Sequence, residues 1–124
     1  MQRTRLLRTL PAALLTFIFP LWACAAALPA PADGTPALRI QGSNTIGAQL
    51  GPALVMGLLA QQGAQGIEQQ RGAKPNEIRI VGRLPSGQVS IDVAAHGSST
   101  GFAALQAAQA DLATSSRPIK DSEV

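Results

Sequence analysis

The chain has 124 residues, with ten Lys and Arg against seven Asp and Glu, a formal net charge of +3, one histidine and one cysteine. That length holds one domain, and once the N-terminal arginines are set aside no basic excess is left to mark a nucleic-acid-binding face. The cysteine, Cys24, falls in the N-terminal leader, so the remainder can form neither an internal disulfide nor a thiolate metal site.

Arg3, Arg5 and Arg8 precede an apolar run over residues 10–21, and Ala23, Cys24 and Ala25 supply the small residues of a cleavage site. Residues 1–25 therefore read as a secretory signal peptide. The rival, a membrane span, needs about 20 apolar residues, and this run is interrupted by Pro11 and Pro20. Leu21-Trp22-Ala23-Cys24 also resembles a lipobox, in which Cys24 would be acylated and anchor the protein. Losing the leader leaves seven basic against seven acidic residues, a neutral and cysteine-free chain suited to the bacterial periplasm. Residues 26–36 form a Pro/Ala linker, and the folded domain occupies 37–124.

Leu38 and Ile40 alternate with Arg39 and Gln41 as a strand does. Ile46, Leu50, Leu54 and Leu58 then recur at helical spacing across 45–62, with Pro52 predicting a kink or a late start. Residues 63–75 carry a weaker signal, with a short strand at 67–70. A clearer strand covers 78–81, a turn around Pro85 follows at 84–87, and 89–95 alternates as another strand. A helix over 99–109, packing through Phe102, Leu105 and its alanines, and a short strand over 110–114 complete the pattern. Strands alternating with helices predict an α/β fold: an open sheet, mixed or parallel, of three or four strands with two helices and at least one βαβ crossover.

Three hydroxyl-rich turns stand where these strands end: Gly42-Ser43-Asn44-Thr45, Gly97-Ser98-Ser99-Thr100 and Thr114-Ser115-Ser116-Arg117. One such cluster is sufficiently explained as a helix cap. Three at the carboxyl ends of strands, where open α/β sheets gather ligands, point to an oxyanion held by backbone N–H groups, hydroxyls and one guanidinium. The candidate residues are Ser43, Asn44, Thr45, Ser98, Ser99, Thr100, Ser116 and Arg117. A different chemistry is offered by Gly97-Ser98-Ser99-Thr100-Gly101, which satisfies the G-x-S-x-G pattern of a nucleophile elbow with Ser99 as nucleophile. The triad order of those hydrolases puts a histidine after the serine, and here the single histidine, His96, precedes it.

The stretches LRIQGSNTIGAQLGPAL and VSIDVAAHGSSTGFAALQAAQADLATSSRPIKDSE resemble the N-terminal part of the phosphate-binding proteins of ABC transporters, the PBP-like family of type II periplasmic solute-binding proteins. The resemblance covers about 38–62 and 89–123. It implies one α/β lobe of a two-lobed clamp that closes on an anion, delivered to an inner-membrane permease without catalysis, cofactor or metal. By position it matches Asn44 and Thr45 to the first binding turn, Ser98 to the second and Ser116 to the polar residue after the last strand. Ser43, Ser99, Thr100 and Arg117 are neighbours that could contribute. Some relatives carry a carboxylate where Ser116 stands, so phosphate against other oxyanions is left open. The family's second lobe would lie beyond Val124. Two other classes remain: a serine hydrolase at Ser99, and a small envelope interaction module without a small ligand.

Overall fold

In the computed structural model, which describes residues 28–124, β1 (Leu38–Gly42) leads through α1 (Asn44–Gly47) and α2 (Leu50–Gln61) to β2 (Gln65–Arg71). The hairpin of β3 (Glu77–Leu84) and β4 (Gly87–Ala95) follows, then α3 (Ser98–Gln106), β5 (Leu112–Thr114) and a closing 3-10 turn at Asp121–Glu123. The expected signal peptide, the lipobox with Cys24 and the first residues of the linker lie outside the described residues. At the described end of the linker, Leu28 packs against the core and the Ala37 amide donates to the Ser90 carbonyl at 2.8 Å.

The fold is α/β, an open mixed sheet in the order β2-β3-β4-β1-β5. β1 pairs in parallel with both β4 and β5, while β3 runs antiparallel to β2 and β4. The sheet has five strands where the sequence predicts three or four, and the 45–62 helix is divided into α1 and α2. The division follows the expectation of a late start: Pro52 is the third residue of α2, where a missing N–H costs no intrahelical bond. The hairpin turn falls on Pro85 and Ser86, with Leu84 opposite Gly87. Proline fixes φ near −65° and so forbids the primed turns that suit strand twist; Gly87 absorbs the mismatch at φ +137°.

Two crossovers set the layers. The path from β1 to β2 passes to one side of β1 in the sheet and the path from β4 to β5 to the other. Right-handed crossovers running in opposite directions put their helices on opposite faces. Accordingly α2 lies on the face of Val93 and Gly82, whereas Arg39 and Gln41, pointing the other way from Ile40, reach the carbonyls of Ala108 and Gln109 behind α3.

The core sits on the α2 face: Ile40, Ile80, Leu84, Val89, Ile91 and Val93 from the sheet against Val55 and Leu59. The helix buries a stripe one residue away from the expected one. Leu50 and Leu54 are exposed, and Val55 and Leu59 are buried. In α3 the packed residues are Gly101 and Ala104, half-buried Phe102 lies at the margin, and Leu105 is exposed, contrary to its predicted packing role. Gly101 explains the difference, because a Cβ there would stand 2.7 Å from the Gln41 carbonyl oxygen. The helix backbone therefore rests directly on β1. Among the described residues no helix is long and apolar enough to cross a membrane.

Candidate anion site at the carboxyl edge of the sheet

Adjacent parallel strands whose connections leave toward opposite faces create a crevice at their carboxyl ends. Here those strands are β1 and β4, and the turns that leave them are Gly42-Ser43-Asn44-Thr45 and His96-Gly97-Ser98-Ser99. Hydrogen bonds stitch the turns together. The Gly97 amide donates to the Gly42 carbonyl at 2.8 Å, and the Ser43 amide to the Thr114 carbonyl at 2.9 Å. The third turn joins through the Ser116 amide, which donates to Ser98 Oγ at 3.3 Å. Glycine is required at the centre: a Cβ on Gly42, at φ +142°, would lie 2.0 Å from the Thr114 carbonyl oxygen.

The candidate residues divide by what they do locally. Ser43 is 1% exposed and its Oγ accepts from the Ile46 amide at 3.4 Å, so it serves as the cap of α1 and is withdrawn from solvent. Asn44 and Thr45 are exposed beside it. α1 has only four residues, so this turn offers little macrodipole. Thr100 turns its hydroxyl back to the Gly97 carbonyl at 2.7 Å. Ser98 is half-buried, Ser99 and Ser116 are exposed, and Ser99 Oγ accepts from Arg117 Nη2 at 2.7 Å. Ser98, Ser99, Ser116 and Arg117 thus form one connected group at the start of the nine-residue α3, with Asn44 and Thr45 on the neighbouring turn. A depression of about 260 Å³ adjoins that turn, lined by Asn44, Gly47, Ala48, Asn76, Ile78 and Ala95.

Arg117 is not free. Its Nη1 donates to Glu123 Oε2 at 2.9 Å and its Nη2 to Glu123 Oε1 at 2.6 Å, and the guanidinium lies 5.6 Å over the Phe102 ring. This arginine, with the amide of Lys120 and the hydroxyl of Ser99, holds the Glu123 carboxyl down at about 2 against the opposing effect of burial. Glu123 was not among the residues expected at this edge; an acidic residue after the proline turn is legible, but its reach back to Arg117 depends on a tertiary path. His96 is exposed, with Nε2 at 3.1 Å from the Pro75 carbonyl oxygen and 3.7 Å from Glu77 Oε1, while Ser99 is engaged by Arg117.

No family model, no curated protein and no solved structure matches the chain. The chemistry of this edge therefore rests on its own residues: hydroxyl and backbone donors, and one arginine paired with Glu123, around a crevice.

Proposed function

We infer that the chain is the binding lobe of an exported solute-binding protein of the PBP-like, type II kind, which holds phosphate or a similar oxyanion and delivers it to an ABC-transporter permease in the inner membrane. The observation that carries this reading is the joining of three hydroxyl-bearing turns at the crevice between β1 and β4, through Gly97 to Gly42, Ser43 to Thr114 and Ser116 to Ser98. Capping alone would explain each turn separately, but not their meeting at the place where α/β sheets bind ligands. The site would work from the periplasm, with Asn44, Thr45, Ser98 and Ser116 as the donors nearest the anion and a second lobe closing over it.

The hydrolase alternative finds less support, because His96 is directed at the Pro75 carbonyl and Ser99 Oγ accepts from Arg117. Calorimetric titration of the folded chain with phosphate and then sulfate tests the binding reading. Saturable heat that Ser98→Ala weakens by about tenfold, the equivalent of about 1.4 kcal/mol, is the expected result. A folded chain that gives no heat with either anion up to millimolar concentration would reduce the turns to helix caps.

A further inference from the structure

The four terminal N–H groups of Arg117 are all in use. Nη1 donates to Glu123 Oε2 at 2.9 Å and to the Pro118 carbonyl at 2.7 Å, and Nη2 to Glu123 Oε1 at 2.6 Å and to Ser99 Oγ at 2.7 Å. Ser99 and Glu123 thus share Nη2 of the same guanidinium. With side-chain exposures of 29% and 14%, Arg117 and Glu123 are shielded enough for the pair to be more than a surface contact. An incoming anion can take the two terminal nitrogens of Arg117 only by displacing one of these partners, and Glu123 is the anionic one.

The segment that carries Glu123 is built to leave. It is a three-residue 3-10 turn, held by the Lys120 amide to Glu123 Oε2 at 3.0 Å, the Glu123 amide to the Lys120 carbonyl at 2.8 Å, and Gln106 Nε2 to the Glu123 carbonyl at 3.1 Å. None of its residues is buried, and such short turns are weakly held by their own hydrogen bonds. We propose that Glu123 is a tethered stand-in anion that closes Arg117 and Ser99 to external oxyanions, and that ligand capture at this edge exchanges the Glu123 carboxylate for the ligand. This deepens the oxyanion reading and rests on it. Apparent affinity then equals intrinsic affinity reduced by the fraction of molecules in which Glu123 has swung away.

The test is calorimetry with inorganic phosphate and with sulfate on the unsubstituted chain and on Glu123→Gln, which keeps the shape and removes the charge. About tenfold tighter binding by Glu123→Gln is expected for a tethered competitor. Equal affinity in the two proteins overturns the exchange and leaves the oxyanion reading standing. Absence of binding in both, with folding intact by circular dichroism, overturns the oxyanion reading and the exchange with it. Should Glu123→Gln lose its folded spectrum, the question passes to the unsubstituted chain, through the carbon-13 resonance of the Glu123 carboxylate. A shift toward its free position as phosphate saturates supports displacement, and an unmoved resonance at saturation rejects it.

Discussion

Arg39 and Asp111 are bound to each other on both levels of structure. Arg39 Nη2 and Nε donate to the Asp111 carboxylate at 2.8 and 3.1 Å, the Arg39 amide donates to the same carboxylate at 2.8 Å, and the Asp111 amide donates back to the Arg39 carbonyl. The first residues of β1 therefore fix the chain where it enters β5, and with it the position of the third hydroxyl turn. Asp111→Asn should loosen β5 without melting the sheet. Hydrogen exchange at the Ser43 amide, bonded to Thr114, should speed up on the order of tenfold while amides at the centre of β3 stay protected.

One residue of α3 and one just beyond its C-terminus invert the usual propensity rule. Gly101→Ala would gain about 1 kcal/mol of helix propensity, but the new Cβ would lie 2.7 Å from the Gln41 carbonyl oxygen. Backbone cannot yield as a flexible side chain does, so a net loss of about 2 kcal/mol is expected in urea melts. Ala108, the residue after the C-cap Ala107, takes φ +56°. There Ala108→Gly removes left-handed strain and should stabilise by about 0.5–1 kcal/mol despite the entropy of glycine.

The phase of α2 is checked by a pair of leucines. Leu59 is fully buried, so Leu59→Ala should cost about 2–5 kcal/mol. Leu54 is 62% exposed, and Leu54→Ala should stay within about 0.5 kcal/mol of the unsubstituted chain. Equal losses in thermal melts would mean that the helix is rotated from this arrangement.

Acid should weaken the fold in a window set by Glu123. Its carboxyl is held below the ordinary value of 4.5, at about 2, by Arg117 first. A depressed pKa means that the folded state binds its proton less readily than the unfolded state. The contribution is therefore complete above 4.5 and is lost as pH falls toward 2. Arg39 lowers Asp111 in the same direction. Urea midpoints should fall across this interval, and Glu123→Gln should flatten the fall.

What the sequence reveals and what it conceals have separate physical causes. β1, β4 and the Pro85 turn are legible because each puts apolar residues on one face only, or breaks the pattern with proline. β2 is legible only in part, as the short strand at 67–70 within Gln65–Arg71, since six of its seven residues are exposed and no alternation marks its ends. In α2 the leucines at 50, 54 and 58 compete with Val55 and Leu59 for the same period, and only the sheet beneath decides between the stripes. The hydroxyl turns could be read from local composition, but the capture of Arg117 by Glu123 and the withdrawal of Ser43 into a cap arise from tertiary contacts.

β2 has one more role. As the outermost strand beside β3 it leaves a row of backbone donors and acceptors with no neighbour, the kind of edge on which other chains add themselves. Its sequence is Gln-Gly-Ile-Glu-Gln-Gln-Arg, and an extra residue between Gln65 and Glu68 breaks the register where Gly66 takes φ +60°. A bulge that twists the strand and charges that resist stacking make that edge a poor template for a further strand. The opposite edge, β5, is only three residues long. Both borders of the folded sheet therefore discourage edge-to-edge pairing between copies of the chain.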